Sequence, residues 1–497
     1  MLRTIRIILA VVCLTLITLL FLDFTGWMQD HFGFLAKIQF VPAVLALNVA
    51  VVVGLVAVTL LLGRVYCSVI CPLGVMQDVV SRLHSATGKR ARNRFGFKPE
   101  LLIVRYVFLA LFVVCLVAHL GWLASLIAPY SAYGRMVQTL LAPVYDWVNN
   151  LLADEAAARD SYLFWHTTTV PRTTVALAIS LVTLAVVSVL AWTGGRTWCN
   201  TVCPVGTVFG FLSRFSLLAP VIDTDKCKNC SLCARRCKAS CIDYKNHAID
   251  YSRCVACFDC IGNCTHGAIS YTLRKKAAAA TTAPADEPDR GRRSFIAAGA
   301  MVAGAAALRA ADKTVDGGMA TVEAKAAPER KRPIVPPGAV SLKHFTTHCT
   351  ACQLCVTACP THVLRPSTEL NRLMKPESGY ERGYCRPECT RCGDVCPAGA
   401  IRPLTVEVKS STQIGHTVWV PERCVAVTRG CRCGNCARHC PVGAITMVSY
   451  TTASGKTVEV PAVDTERCIG CGACENLCPS RPYSAIYVEG NEVQRTV

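Results

Sequence analysis

Cysteine is unusually abundant in this chain, at 32 of 497 residues, and most of it stands in groups of four. The clearest groups have the spacing Cys-x-x-Cys-x-x-Cys-x-x-x-Cys, in which three closely spaced thiols precede a more distant fourth. In two-cluster bacterial ferredoxins such a triplet binds a [4Fe–4S] cluster, and the fourth cysteine ligates the cluster of the other motif. Zinc is the rival metal, but zinc sites usually take their ligands as two separated pairs. A disulfide framework is typical of short secreted chains, whereas this chain is long and rich in apolar residues.

Six such groups predict six [4Fe–4S] clusters, two in residues 221–276 and four in residues 341–497. The predicted ligands of the first two clusters are Cys227, Cys230, Cys233, Cys237, Cys254, Cys257, Cys260 and Cys264. Those of the four later clusters are Cys349, Cys352, Cys355, Cys359, Cys385, Cys389, Cys392, Cys396, Cys424, Cys433, Cys436, Cys440, Cys468, Cys471, Cys474 and Cys478. We expect both stretches to form α+β folds like those of bacterial ferredoxins.

Two spare cysteines leave the choice of ligand open. Cys241 competes with Cys237 in the first cluster region, and Cys431 competes with Cys433 in the second. The first region also departs from the usual pattern, because Lys238 stands where a proline normally follows the fourth cysteine.

A different cysteine pair occurs twice in the N-terminal part, within an internal repeat. The sequence GRVYCSVICPLG at 63–74 matches GRTWCNTVCPVG at 195–206, which implies two related helical hairpins. Cysteines four residues apart lie on one helical face, so each pair could share a ligand, oxidise or react with a carrier. The two pairs are Cys67 with Cys71 and Cys199 with Cys203. These four are candidate catalytic residues, either redox-active or close to a quinone. The alternative is a tight Pro-Gly exit from the membrane with incidental cysteines.

Four stretches are apolar and long enough to cross a membrane as helices, at 4–22, 41–62, 101–120 and 173–192. The loop that follows the second stretch is strongly basic, which places it in the cytoplasm by the positive-inside rule. The loop that follows the third stretch has four acidic residues against three basic ones and fits the outer side. Because the basic residues behind the net charge of +19 lie mostly beside apolar stretches, the composition does not indicate a nucleic-acid partner.

The outer loop at 121–152 is rich in aromatic and apolar residues. We expect it to lie along the membrane surface as an interfacial helix. A lid over a quinone pocket is the functional alternative for this loop.

Residues 277–340 join the two cluster regions. An Ala/Thr/Pro-rich tether at 277–291 leads into Arg292-Arg293 and an Ala/Gly-rich apolar run to Leu308, and a Pro/Lys-rich tether follows at 324–337. Two arginines before a weakly apolar run predict a twin-arginine export signal. Iron–sulfur clusters are assembled in the reducing cytoplasm, so a route for folded cargo suits the last domain. An uncleaved signal would form a fifth membrane helix.

The expected architecture is a membrane α-helical domain of four to five helices, joined to ferredoxin-like domains. We assign 1–220 to the membrane domain, 221–276 to a cytoplasmic two-cluster domain, 277–340 to the linker and 341–497 to a periplasmic four-cluster domain. The chain would lie in the lipid of a bacterial inner membrane. It contains no Cys-x-x-Cys-His motif for haem c and no Gly-x-Gly-x-x-Gly fingerprint for a nicotinamide cofactor.

These motifs resemble two known families. Residues 1–276 resemble the NapH-type quinol dehydrogenase membrane subunit, in their four apolar helices, their two Cys-x-x-x-Cys-Pro turns and their two-cluster ferredoxin. Residues 289–490 resemble the NapG/MauM-type periplasmic ferredoxin, in the twin-arginine signal, the Pro-Pro-Gly-Ala entry at 336–339 and the four clusters. The chain therefore looks like a natural fusion of two subunits.

The resemblance implies the electron-transfer component of a quinol dehydrogenase, which passes electrons from membrane quinol through its clusters to a periplasmic reductase. It also implies that the first group of the large domain exchanges ligands with the fourth, and the second with the third. The alternative function is a redox assembly factor for a metalloenzyme, since similar Cys-x-x-x-Cys-Pro turns serve copper-oxidase assembly. Six clusters favour bulk electron flow over assembly.

Overall fold

The computed structural model describes the chain except for residues 24, 162–163, 165, 168–171, 275–314, 317–319, 322 and 453–454. The first predicted tether and the twin-arginine segment at 292–308 lie outside the described residues.

The N-terminal part is helical. Its α-helices are α1 (Leu2–Leu22), α2 (Trp27–Phe32), α3 (Phe34–Lys37), α4 (Phe40–Leu45), α5 (Val49–Leu62), α6 (Val65–Val69), α7 (Pro72–Ala86), α8 (Lys89–Arg92), α9 (Leu102–Val117), α10 (Gly121–Ile127), α11 (Pro129–Met136), α12 (Ala142–Ala157), α13 (Thr174–Gly194), α14 (Thr197–Thr201) and α15 (Pro204–Ser213). A π-helical turn, Val137–Leu141, joins α11 to α12.

Short strands and helices then build the first cluster region: β1 (Leu218–Ile222), α16 (Leu232–Arg235), β2 (Ile242–Asp243), β3 (Ala248–Ile249), α17 (Asp259–Asn263) and β4 (Ile269–Leu273). Strands β1 and β4 pair antiparallel from Leu218↔Leu273 to Ile222↔Ile269, so the ends of this region lie side by side. A two-residue hairpin, β5 (Val315–Asp316) and β6 (Ala320–Thr321), follows.

The second cluster region has the same style of short elements: α18 (Leu342–His348), α19 (Leu354–Thr357), β7 (Leu364–Pro366), β8 (Pro376–Ser378), α20 (Arg391–Asp394), α21 (Val406–Ser410), β9 (Thr412–Trp419), α22 (Val425–Arg429), α23 (Asn435–Arg438), β10 (Ile445–Thr451), β11 (Thr457–Val463), α24 (Ala473–Leu477) and β12 (Ile486–Thr496). Two 3-10 turns, Leu370–Arg372 and Pro421–Arg423, complete it. Its three antiparallel pairs are β7–β8, β9–β12 and β10–β11, as expected of a ferredoxin-like α+β domain.

Two of the described helices, α1 and α13, are long and apolar enough to cross a membrane, with 21 residues each and mean hydropathies of 2.8 and 2.5. The other two predicted spans are shorter. The stretch expected at 41–62 is broken, because Leu47 takes a left-handed backbone (φ 53°) and the Asn48 side chain accepts a hydrogen bond from the Val51 amide. Helix α5 therefore has only 14 residues, and α9 has 16.

The two copies of the internal repeat turn back into the helical bundle after α5 and α13. Short helices α6 and α14 each end two residues before a Cys-Pro step, and α7 and α15 begin at the proline of that step. Tyr66 is buried in the first turn, and its hydroxyl donates to Gln39 Oε1 at 2.9 Å. Each repeat is thus a long helix followed by a re-entrant hairpin.

The loop expected on the membrane surface divides into two different parts. All eight residues of α11 are buried, and the helix packs against α7 and α13. Tyr133 is fixed there by a 2.6 Å hydrogen bond between its hydroxyl and that of Thr18. The interfacial prediction is wrong for this helix, whereas α12 exposes Trp147 and Leu151 and keeps an apolar outer face.

The two cluster regions pack on opposite ends of α1. At its N-terminal end, Arg3 forms an ion pair with Asp259 of the first region at 3.0 Å. At its C-terminal end, the Thr357 hydroxyl of the second region donates to the Phe21 carbonyl oxygen at 3.2 Å. A 21-residue helix is about 30 Å long, so the helical bundle separates the two regions by that distance.

The second predicted tether is part of the large domain. Arg330 Nε donates to the Val488 carbonyl at 2.8 Å, and its guanidinium pairs with the buried carboxylate of Glu475 at 2.5 Å. The Ala326 amide donates to Pro482 O at 2.8 Å. Because its polar groups are bonded along this length, the segment lies fixed against β12 and is not a free tether.

Replacing Arg330 with Met is expected to destabilise the large domain by about 3–5 kcal/mol, since it leaves the carboxylate of Glu475 buried without its cation. The loss of iron–sulfur absorbance on heating the full-length protein measures the effect. Arg332→Met is the matched control, because Arg332 pairs with Glu492 at an exposed site where such pairs contribute little. Equal midpoints for the two variants would contradict this account of the segment.

Candidate iron–sulfur sites and a four-thiol site

The cysteine triplets share a backbone conformation. In three of the six triplets, the residues on both sides of the middle cysteine have φ between 48° and 67°: these pairs are Asn229 and Ser231, Ala256 and Phe258, and Ala351 and Gln353. Gly470 and Gly472 repeat the pattern around Cys471. Successive left-handed residues turn backbone amides toward one point and form a concave anion site. The triplet loops are therefore shaped to wrap an anionic cluster.

In the first cluster region the last cysteine of the second group reaches the first triplet. One small cavity is lined by Cys227, Cys230, Cys233 and Cys264. The triplet at 254–260 then needs a fourth thiol from Cys237 or Cys241. Cys237 lies within electrostatic range of all three of its cysteines, and its Sγ is 3.5 Å from that of Cys241.

In the large domain the first and second groups exchange their last cysteines. One cavity is lined by Cys349, Cys352, Cys355 and Cys396. A neighbouring cavity is lined by Cys359, Cys385, Cys389 and Cys392. The expected exchange of the first group with the fourth is therefore wrong, because α19 and α20, which carry parts of the first two groups, pack against each other.

The third and fourth groups exchange in the same way. Cys436 of the third group lies within electrostatic range of Cys478, and Cys471 of the fourth lies within range of Cys440. The spare Cys431 is exposed, and Cys433 packs in the core around Cys424 and Cys478. The Cys385 amide also donates to Cys471 O at 2.9 Å, so the four sites follow one another in the order first, second, fourth, third.

The four cysteines of the internal repeat converge, although 132 positions separate the two pairs. Cys67, Cys71, Cys199 and Cys203 are each 4% exposed. Each of these four thiols lies close enough to the other three to interact with them electrostatically. The repeat therefore builds one four-thiol site at the contact between its two hairpins, and neither hairpin alone has more than half of it.

Reciprocal hydrogen bonds hold the two hairpins together. Arg64 of the first copy donates to the Cys199 carbonyl at 3.2 Å, and Arg196 of the second donates to the Cys67 carbonyl at 2.8 Å. Within each hairpin a glycine permits the turn to close, since a Cβ on Gly74 or Gly206 would lie only 2.3 or 2.0 Å from a cysteine carbonyl oxygen. The positions that match between the two copies thus have matching roles.

A buried charge network joins this site to the first cluster region. Asp78 pairs with Arg196 at 2.8 Å, with Lys238 at 3.1 Å and with Arg6. Burial raises the pKa of Asp78, but the three cations outweigh it and hold that pKa well below its usual range. Lys238 also pairs with Asp259 at 3.0 Å, so the residue that replaces the usual proline joins the ferredoxin fold to the helices.

The sequence patterns do not predict this network, and Arg64 stands among the basic residues of the loop that they assign to the cytoplasm. Arg64 and Arg196 are both fully buried. The signal available in the sequence was the repetition of Arg64 as Arg196 within otherwise apolar segments, together with the lysine in place of proline. Charges kept at matching positions of an internal repeat indicate a shared structural role.

A larger cavity of about 330 Å³ lies between the helices and the second cluster region. Its lining includes Phe21, Leu22, Gln138, Asp146, Cys359 and His362. Burial raises the pKa of Asp146 above its ordinary value, and Arg172 partly offsets the shift. The cavity thus combines apolar walls, a carboxylate and a cysteine of the first group.

Replacing Cys237 with Ser is expected to remove one cluster, whereas Cys241→Ser should leave the number of clusters unchanged, because Cys237 faces the whole 254–260 triplet. Iron and acid-labile sulfide per chain measure the difference, which is about four iron atoms. Loss of a cluster from the Cys241 variant alone would reverse the assignment.

Family models match three parts of the chain. A model described as a 4Fe-4S binding domain matches residues 44–90 and 174–220, and a 4Fe-4S dicluster domain model matches residues 429–481. The first model covers both copies of the internal repeat. No solved structure matches the chain.

The curated relatives include several ferredoxin-type proteins. The methylamine utilization ferredoxin-type protein MauM of Methylophilus methylotrophus is 33% identical over 150 residues, and the chain spans 65% of its length. The ferredoxin-type protein NapG of Escherichia coli is 32% identical over 207 residues, which are 39% of this chain and 83% of that protein. MauM of Methylorubrum extorquens is 31% identical, with 84% of its length covered and 38% of this chain.

The coverage and identity of these matches, together with the cysteine loops, are sufficient to assign the family. Over about two fifths of its length, this chain belongs to the family of NapG- and MauM-type ferredoxins.

Proposed function

We propose that the chain binds six [4Fe–4S] clusters and passes electrons from a membrane quinol to a reductase on the periplasmic side. The observation that carries the proposal is the 330 Å³ cavity between α1, α12 and the first cysteine group of the large domain. This compartment has the size that small ligands occupy and lies at one end of the membrane-length helix. It is lined by Cys359, the fourth cysteine of the second site in the four-site series.

The ligands of the six clusters are the 24 cysteines that the spacing predicts, with Cys237 and Cys433 chosen over the two spare cysteines. The exchange of last cysteines between neighbouring groups gives every triplet its fourth thiolate. When bound, each cluster supplies a one-electron redox centre, and the protein holds the centres in series.

The lining of the cavity fits the chemistry of quinol oxidation. Oxidation of a quinol releases two electrons and two protons. The carboxylate of Asp146 can accept a proton, and Gln138 can hydrogen-bond the quinol head while Phe21 and Leu22 pack on its apolar ring. Cys359 lines the same cavity, which puts the ligand of a cluster next to the electron donor.

The outer surface of the helices supports a place in the membrane. Large apolar side chains are exposed along the helical bundle, among them Val53, Ile103 and Val182, at 59%, 80% and 59%. Exposed apolar surface of this extent marks contact with lipid or a partner. With the basic loop in the cytoplasm, the first cluster region lies on the cytoplasmic side of the inner membrane and the second on the periplasmic side.

The far end of the large domain suits a negatively charged partner. The third cysteine group borders a groove of about 700 Å³ whose lining includes Arg423, Arg429, Arg432 and Arg481. Complementary charge steers encounter between redox proteins. A periplasmic reductase with an acidic patch around its own cofactor would dock here.

The rival role is redox assembly of a copper enzyme, with the Cys-x-x-x-Cys-Pro thiols handling the metal. A protein that only handles a metal does not need six electron carriers. The number of predicted clusters therefore favours electron transfer over assembly.

Adding a reduced quinol analogue to anaerobic full-length protein should bleach the cluster absorbance. In Asp146→Asn the bleaching rate should fall about 100-fold, the typical contribution of a positioned proton acceptor. Glu155→Gln, on the exposed side of the same helix, is the control and should react normally. Failure of the unchanged protein to bleach, with all clusters present, would favour the assembly role.

A reporter that is active only in the periplasm should be active when fused after Val497, and replacement of Arg292-Arg293 by two lysines should abolish that activity because the folded domain would not be exported. A cytoplasm-specific reporter at the same position is the control. Activity of the cytoplasmic reporter alone would contradict the two-sided arrangement.

A further inference from the structure

We propose that Cys67, Cys71, Cys199 and Cys203 together bind a seventh [4Fe–4S] cluster, which lies inside the helical bundle and connects the two cluster regions. This goes beyond the proposed function, which uses six clusters, and it gives the four cysteines a ligand role in place of the catalytic role that the sequence suggested.

The first argument is stoichiometric. Residues 44–90 and 174–220, the two segments that match the 4Fe-4S binding domain model, contain four cysteines in total. Each segment therefore supplies only two thiols, whereas a cluster of this type takes four. The fold brings all four thiols together, because the two pairs of cysteines meet at one site.

The second argument is the supply of hydrogen-bond donors to the sulfur atoms. Gln77 Nε2 is 3.2 Å from Cys199 Sγ, and Arg196 Nη1 is 3.7 Å from the same atom. The Gly206 amide donates to Cys203 Sγ at 3.4 Å, and the Gly74 amide donates to Cys71. Cys71 and Cys203 also cap the N-termini of α7 and α15, where the helix dipole favours negative charge.

Two buried cations lie beside the thiols, Arg64 and Arg196. Asp78 already pairs with Arg196, but among the described residues Nη2 of Arg196 has no hydrogen-bond partner, and a buried unpaired guanidinium nitrogen is costly. The oxygens to which Arg64 donates are all neutral, those of Asn200, Ser252 and Cys199. Four thiolates around iron and sulfide carry net negative charge, which would compensate Arg64 and give Nη2 of Arg196 an acceptor.

The position of the site gives the cluster its role. One continuous buried core includes Val255 of the first cluster region, Cys71 and Cys203, Tyr130 of α11, and Cys352 of the second region. Electron tunnelling weakens steeply with distance, and the helical bundle separates the two regions by about 30 Å. A cluster at the four thiols would replace one electron-transfer step of that length by two shorter steps.

When bound, the seventh cluster would be a one-electron carrier, and no bond would form or break. It would be reduced from the 2+ to the 1+ level as a neighbouring cluster is oxidised from 1+ to 2+, and it would return to 2+ on passing the electron to the next site. The guanidinium groups of Arg64 and Arg196 lie where they would stabilise the added negative charge.

The test counts iron and acid-labile sulfide in anaerobically purified full-length protein. We expect about 28 iron atoms per chain, and about 24 in the Cys71→Ser/Cys203→Ser double variant. A reductive titration should fall from about seven electrons to about six. Cys115→Ser, which removes another buried cysteine of the helical bundle, is the control and should retain about 28.

About 24 iron atoms in the unchanged protein, with the same number in the double variant, would overturn the proposal. If the double variant does not accumulate, the iron count of the unchanged protein decides the case by itself. Neither iron count involves quinol. A protein that holds about 28 iron atoms but is not reduced by quinol would contradict the proposed function, while the proposal of a seventh cluster would still be supported.

Discussion

A [4Fe–4S] cluster requires four thiolates, and a single short loop of this chain presents only three in a row. The fourth must come from elsewhere, as Cys264 does for the triplet at 227–233 and Cys396 for the triplet at 349–355. Each cluster therefore ties together two segments that are distant in sequence. This explains how domains made of two-stranded sheets and one-turn helices hold a fixed shape. Because ligands and fold depend on each other, binding of iron and sulfide is coupled to folding.

In the helical part, distant segments of the chain are held together by buried ion pairs. The ferredoxin fold of the first region is fixed to the helices by Lys238, which lies between Asp78 and Asp259. Asp78 also pairs with Arg196, whose backbone adjoins the thiols of the second hairpin. Breaking a buried network of this kind leaves a charge uncompensated. The position of the first cluster region relative to the four thiols is thus determined by named ion pairs.

Much of the fold follows from local sequence patterns. The spacing of the cysteines predicts the ferredoxin loops, and α1 and α13 occupy nearly the stretches that hydropathy predicts. Hydropathy fails at Leu47 and Asn48, because a window average does not detect a left-handed residue followed by a helix cap. It fails again at α11, since an apolar segment rich in aromatic residues suits a re-entrant helix as well as an interfacial one.

Local sequence patterns do not predict contacts between distant parts of the chain. The internal repeat indicates two similar hairpins, but it does not reveal that Arg64 donates to the carbonyl of Cys199. Likewise, the proline-rich composition of 324–337 resembles a tether, while the ion pair of Arg330 with Glu475 fixes it in place. The choice of exchange partners among the four late groups depends on which one-turn helices pack together, and spacing within a motif contains no such information.

The central claim is that the grouped thiols bind iron and sulfide as cubanes. Mössbauer spectroscopy of anaerobically prepared, ⁵⁷Fe-labelled full-length protein tests it most directly. The account predicts that essentially all iron gives the signal of sulfur-coordinated, valence-delocalised [4Fe–4S] centres. Purified protein that contained zinc in place of iron, or iron only as isolated mononuclear sites, would contradict it.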